Sequence, residues 1–465
     1  MLIERAEIAG RGPLSLRILG GRIAEIGATL APRRGEERLD AAGGALLPGL
    51  HDHHLHLLAL AAAASSLRCG PPEVCSRDEL ARALRAALPR AGWIRGIGYH
   101  DSVAGALDRH DLDALAPGAA IRVQHRSGAL WILSSAGVER LGLDRGVDAP
   151  GVERDAAGRA TGRVWREDAW LRERLGAADP PDLAPVGAAL ARLGVTGVTD
   201  ATASNGAAEL ALFESAAVSG ALPQRLLVMG GLALPAPSHP RVVRGAVKLV
   251  LAETALPDFD AFEASVRAAH AAGRAAAIHC VTRAELAFAA GAFDAAGTRA
   301  GDRIEHAAVA PPELAQRLAA LGLTVVAQPH FVRERGDAYA VDVDAADLPW
   351  LHRARGFDAA GVPLAAGTDA PFGAPDPWLA MRAAVERRSE SGAVLGAEEA
   401  LTPERALSLF TSPSEAPGGA ARGVAPGAPA DLCLLDRPWA QARGALDGSL
   451  VAATLVAGRV IFRRG

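Results

Sequence analysis

The chain has 465 residues, half of them apolar and 22% charged, with a formal net charge of −4. That length exceeds one ordinary hydrophobic core, so a large domain with a smaller module is expected. The mild acidity and the lack of a long basic run argue against nucleic acid or an anionic membrane surface as partner. The longest apolar run, residues 55–64, is too short to span a bilayer.

The N-terminus places Glu4 early and has no apolar h-region, so no signal peptide is expected. Cys69, Cys75, Cys280 and Cys433 form no closely spaced pair, which fits a reduced, cytoplasmic protein. Residues 1–45 alternate short apolar stretches with turn signals and predict strands and hairpins. A first central strand is predicted over 45–54. Residues 65–185 then break the rhythm with a helical stretch, a strand-like WIRGIGY and several tryptophans. This is read as an insertion after the first strand, expected to lie over the catalytic end. Seven more strands are predicted over 195–201, 224–230, 245–252, 274–280, 302–308, 323–330 and 362–370. Helical patterns such as 260–273 and 311–322 follow most of them. Eight strands alternating with helices predict a (β/α)8 TIM barrel, an α/β fold. The stretches 430–436 and 451–465 return to a β pattern. The expected domains are therefore residues 1–45 with 412–465 as a small β domain, and 46–411 as the barrel including the insertion.

In such a barrel, chemistry sits at the C-terminal ends of the strands. Strand one ends in His54 and His56, whose spacing lets both face one cation. Strand four carries Lys248, the only lysine: the chain has 49 Lys plus Arg, so the other 48 are arginine. Strand five ends in His279, strand six in His306 and strand eight in Asp369, while His330 follows strand seven. The His-x-His pair alone is a weak signal; the order of His-x-His, Lys, His, His and Asp on successive strands is the specific one. Other readings stay open for each residue. Lys248 could reach an ion pair, His279 and His306 could be core histidines, and Asp369 could cap a turn. His330 reads equally as a substrate contact or a loop histidine, and His125, Arg126 and Trp131 in the insertion are candidate substrate contacts.

The segment PGLHDHHLH (48–56) resembles the opening motif of the amidohydrolase superfamily. The resemblance extends through the stretches around Lys248, His279, His306, His330 and Asp369 to GVAPGAPADLCLLD near the C-terminus. The insertion is similar to that of the amidohydrolase 3 branch, although Ala129 and Leu133 stand where that branch usually carries His and Asn. The resemblance implies a metal-dependent barrel with a small β-sandwich built from both chain ends. It further implies two divalent metals: His54, His56 and Asp369 on one, His279 and His306 on the other, and a carbamate formed from CO2 on Lys248 between them. Arginine cannot do this, because its guanidinium stays protonated. A lysine flanked by Val247 and Leu249 has its neutral amine favoured by desolvation. Zinc is the default cation for imidazole with carboxylate, with manganese, iron and nickel as alternatives.

The implied activity is hydrolysis of a non-peptide C–N bond (amide, formamide, cyclic amide or carbamate type) in a small molecule, with Asp369 as general base and then acid. Asp52 is expected to brace a ligand histidine or the turn. Two rivals are a mononuclear deaminase of the same superfamily and a non-catalytic relative. The deaminases carry a Glu three residues after the strand-five histidine, where this chain has Thr282. A homo-oligomer stays open.

Overall fold

The computed structural model describes residues 1–147, 149–175 and 180–465. Eight parallel strands form one sheet in sequence order: β1 (Leu50–Leu55), β2 (Val195–Asp200), β3 (Arg225–Gly230), β4 (Val242–Val250), β5 (Ala276–Cys280), β6 (Arg303–His306), β7 (Thr324–Ala327) and β8 (Leu364–Ala366). These overlap the eight predicted stretches, and helices follow most of them, including Phe259–Ala271, Arg283–Ala296 and Pro312–Ala320. The β3–β4 connection carries no helix. β2 and β3 are buried along nearly their whole length, on both faces, as parallel strands covered by helices are.

The sheet closes just beyond the ends of β8 and β1. Asp369 N–H donates to His54 O (2.6 Å) and His56 N–H to Ala370 O (2.8 Å). Asp52 latches the same seam: its carboxylate accepts from Thr368 N–H (2.9 Å), Thr368 Oγ1 (2.5 Å) and His54 N–H (3.1 Å). Burial pushes the Asp52 pKa up to about 7, against the pull of those Thr368 and His54 donors. Asp52→Ala would leave three buried donors unpaired, so unfolding free energy in a urea titration is expected to fall by about 3 kcal/mol. A loss under about 1 kcal/mol would show that the latch contributes little.

One predicted boundary changes. The stretch 45–54 is two strands, not one: Leu46–Pro48 pairs antiparallel with Leu432–Leu435, and β1 starts at Leu50. The break falls at Gly49, where a Cβ would collide with the Thr196 side chain, so no other residue lets the backbone pass there. Leu46–Pro48 and the C-terminal strands Leu432–Leu435, Val451–Val456 and Arg459–Arg463 make one four-stranded sheet. Leu2–Ile8, Arg11–Leu19, Arg22–Gly27 and Arg38–Asp40 make another. Ile3, Leu16, Ile18 and Ile23 from the second sheet pack with Leu432, Leu434 and Leu455 from the first in one core, the layered arrangement of a sandwich.

By compactness the chain divides into residues 1–57 with 183–465, and residues 58–182. The second unit has its own six-stranded sheet and its own core, around Leu80, Leu84, Tyr99, Leu112 and Ile121. Its first long helix, Arg77–Ala86, starts at Ser76, whose hydroxyl accepts from Glu79 N–H. Among the described residues no helix is long and apolar enough to cross a membrane. All four cysteines are free thiols, three of them buried.

Candidate metal centre

Ala201, Ala246 and Ala277 pack with Leu227 and Met229 in one apolar cluster drawn from neighbouring barrel strands and their ends. The six residues expected to hold metal lie at or near the ends of the strands. His54 lies in β1 and His56 just beyond it, Lys248 near the end of β4, His279 near the end of β5, His306 at the end of β6, and Asp369 just past β8. They meet: the ligand atoms of His54, His56 and Asp369 lie within 4.8 Å of one another. Asp369 Oδ1 is 3.2 Å from His56 Nε2 and 3.4 Å from His54 Nε2. The His306 ring is 4.8 Å from that of His54 and 4.5 Å from that of His279, centre to centre.

Electrostatics leave these groups in states that could bind a cation. Burial pushes the pKa of His54 and of His306 down to about 4 and that of His279 well below its ordinary value, so all three imidazoles are neutral with a lone pair to offer. Burial alone would raise Asp369, but the hydrogen bond from His56 and the neighbouring His54 and His306 hold it ionised, well below the usual carboxylate range. Lys248 is 5% exposed, and burial brings its amine down to about 8, with Glu305 opposing that shift. Its Nζ has no hydrogen-bond partner among the described residues.

Backbone geometry aims two of the ligands. His306 and Ala307 have φ of +73° and +46°, and Asp369 has φ of +51°. Such left-handed conformations cost a residue with a side chain about 1–3 kcal/mol and cluster at functional sites. At His306 the consequence is specific. Successive side chains on a regular strand point to opposite faces. The left-handed turn lets Glu305 and His306 both face the barrel interior: Glu305 reaches His54, and the His306 ring sits beside it.

Three residues outside the predicted set touch the ligands. Glu305 Oε2 is 2.5 Å from His54 Nδ1, and its Oε1 is 3.8 Å from Lys248 Nζ. Thr202 Oγ1 lies 2.8 Å from His56 Nδ1, and Gln328 Oε1 lies 2.7 Å from His306 Nδ1. Each orients a ring through the nitrogen that faces away from Asp369 or the neighbouring rings, as partners of metal-bound histidines do. The signal that could have found Glu305 is a charged residue inside an apolar strand, although strict alternation places it on the face opposite His306. Asp52 braces the backbone of His54 and of Thr368, the residue before Asp369. His51 and His53 bond Thr199 (2.9 Å) and Ser412 (3.0 Å) instead.

His330 is fully buried, with Nε2 3.0 Å from Thr368 O and its ring against Phe331. His125, Arg126 and Trp131 belong to the second compact unit. There His125 Nδ1 bonds Ser127 Oγ (2.8 Å), Arg126 N–H donates to Tyr99 O (2.8 Å), and the buried Trp131 donates its indole N–H to Asp168 (2.8 Å).

The residues present fit a divalent cation. Neutral imidazoles beside an ionised carboxylate are the donor set of zinc-type sites. The buried Lys248 Nζ is a polar atom for which the protein supplies no hydrogen bond among the described residues. The amidohydrolase family model matches residues 37–462, so the chain belongs to the amidohydrolase family. It is 27% identical to an N-substituted formamide deformylase of Arthrobacter pascens, over 96% of this chain and 94% of that protein. Its fold resembles an uncharacterized metal-dependent hydrolase of Pyrococcus horikoshii, with TM-score 0.74, 21% identity and 96% of each chain covered. It also resembles N-isopropylammelide isopropylaminohydrolase of Burkholderia multivorans, with TM-score 0.55, 18% identity and 99% and 98% of the two chains covered.

Proposed function

We propose that the protein is a metal-dependent hydrolase that cleaves a non-peptide C–N bond of amide, formamide, cyclic amide or carbamate type in a small molecule. The observation that carries this reading is the convergence of His54, His56, Asp369, His279 and His306, with Lys248 buried among them, at the barrel's C-terminal end. The relationship to a formamide deformylase supports it. Two cations, with zinc the default, fit the number of donors, and the four free thiols fit a cytoplasmic enzyme.

A divalent cation held here supplies Lewis acidity toward a carbonyl oxygen and makes water acidic enough to act as a nucleophile near neutral pH. The chain's own groups do the rest. Lys248 would contribute as its carbamate: the neutral amine nitrogen bonds the carbon of CO2 and releases one proton, leaving an anionic carboxylate that would help hold the cations. The amine's lowered pKa supports this, because the neutral form is the nucleophile. Asp369, ionised between two histidines, accepts a proton from the attacking water at its carboxylate. It returns that proton to the departing nitrogen. His54, His56, His279 and His306 stay neutral and hold the site's geometry.

The mononuclear deaminase reading is disfavoured by Thr282. Its hydroxyl caps the helix Arg283–Ala296 through Glu285 N–H (3.3 Å), so the position those enzymes give to an acid does structural work here.

Elemental analysis of the purified protein is expected to give about two divalent metals per chain. Chelation should abolish hydrolysis of N-formyl, N-acyl and cyclic amide libraries and lower the melting temperature, because the cations bind only the folded state. Zinc should restore both. A chain that holds no metal and gains no thermal stability from added zinc would refute the hydrolase reading.

A further inference from the structure

Glu305 is fully buried, and each of its oxygens is engaged. Oε1 accepts from Arg303 Nε (2.6 Å) and Oε2 contacts His54 Nδ1 (2.5 Å). Arg303 is itself 3% exposed and fixed from behind, donating to His53 O (3.2 Å) and Met229 Sδ (3.5 Å). Guanidinium nitrogens only donate and an ionised carboxylate only accepts. The chain of donors therefore runs one way. Arg303 fills one oxygen, the other oxygen has no proton to give, and His54 must carry its proton on Nδ1. The remaining ring nitrogen, Nε2, then bears the lone pair, and Asp369, whose Oδ1 lies 3.4 Å away, takes its hydrogen bond from His56 instead. The other braced rings have neutral partners: His56 meets a hydroxyl that can donate or accept, and His306 meets the oxygen of Gln328, whose NH2 donates to Val326 O.

We propose that Glu305, pinned by Arg303, is the positioning residue that locks His54 in its Nδ1–H tautomer and so presents Nε2 to the cation. This rests on the metal-dependent reading above, but the tautomer itself can be read without metal.

Glu305→Gln tests it with almost no change in shape. Arg303 still donates, so the oxygen of the introduced amide turns to Arg303 and its NH2 faces His54. His54 then accepts at Nδ1, carries its proton on Nε2 and has no lone pair for the cation. Zinc affinity, measured by competition with a chelator, is expected to weaken by about 10- to 100-fold, the usual cost of losing such a partner. Arg303→Met added to Glu305→Gln frees the amide to rotate and offer its oxygen to His54, so affinity should return to within about tenfold of native. A merely structural ion pair gives no such recovery, because the double variant would then be weaker than the single one.

The native protein supplies an independent readout. In the metal-free chain labelled with 15N-histidine, the His54 signals, assigned by their loss in His54→Asn, are expected to show Nδ1 protonated and Nε2 bare. An Nε2–H tautomer in the native chain, or a folded Glu305→Gln that binds zinc as tightly as native, overturns the proposal. A native chain that binds no cation overturns the hydrolase reading instead, and the tautomer measurement still decides the role of Glu305.

Discussion

With metal removed from both proteins, a Lys248→Met chain is expected to unfold at a urea concentration equal to or above that of the native chain, while with metal supplied it should hydrolyse substrate about 1000-fold more slowly or worse. The two halves have one cause. Lys248 is buried, makes no hydrogen bond among the described residues and stands 3.8 Å from Glu305, too far for one. Its charge is desolvated with little return, so an apolar side chain of similar length relieves a penalty. Glu305 is not stranded by the change, because Arg303 and His54 still hold it. What is lost is the amine proposed to form the carbamate, in the one lysine of the chain. Metal content should fall to one per chain or fewer. Removing that electrostatic stabilisation is worth several kcal/mol, about 1.4 kcal/mol per tenfold in rate. Lys248→Ala leaves a cavity at the same place, and short carboxylates added to it should restore part of the activity. Full activity and two metals in Lys248→Met would remove the carbamate from the mechanism.

Asp369→Asn separates holding metal from moving protons. The amide keeps the shape and one oxygen but loses the charge that His54, His56 and His306 stabilise. It can neither accept a proton from water nor return one to the leaving nitrogen. A positioned acid–base group contributes about 100- to 10,000-fold, so kcat is expected to fall by that much, with a smaller change in KM. Metal should remain but bind more weakly, since His54 and His56 still converge on the same point. Steady-state kinetics alongside metal analysis check this. Unchanged kcat would move the proton transfer to another residue.

Much of the barrel was legible because its signals are local. Each strand is a short apolar run bounded by turn residues, and each is followed closely enough by the next for their order to imply parallel pairing. The six candidate residues could be picked out by type and by position at strand ends, with Lys248 made conspicuous by a chain that otherwise uses arginine. Where local reading failed, the reason was a contact between distant residues. The split of 45–54 at Gly49 follows from Thr196, far along the chain, which occupies the space a side chain would need. Thr202 and Gln328 carry no motif; what matters about them is only that their oxygens lie against His56 and His306.

The composition and pattern of the chain, by themselves, determined the alternation of strand and helix, the two β-rich ends and the identity of the six converging side chains, because periodicity and side-chain chemistry are properties of neighbouring residues. Only the tertiary structure decided that Glu305 faces inward beside His306, since a φ of +73° overrides the two-residue period of the strand. It alone decided which nitrogen of His54 is free, since that depends on an acid 251 positions away, itself oriented by an arginine. Side-chain direction at such points is set by backbone strain and long-range hydrogen bonds, and neither is written in the order of the residues.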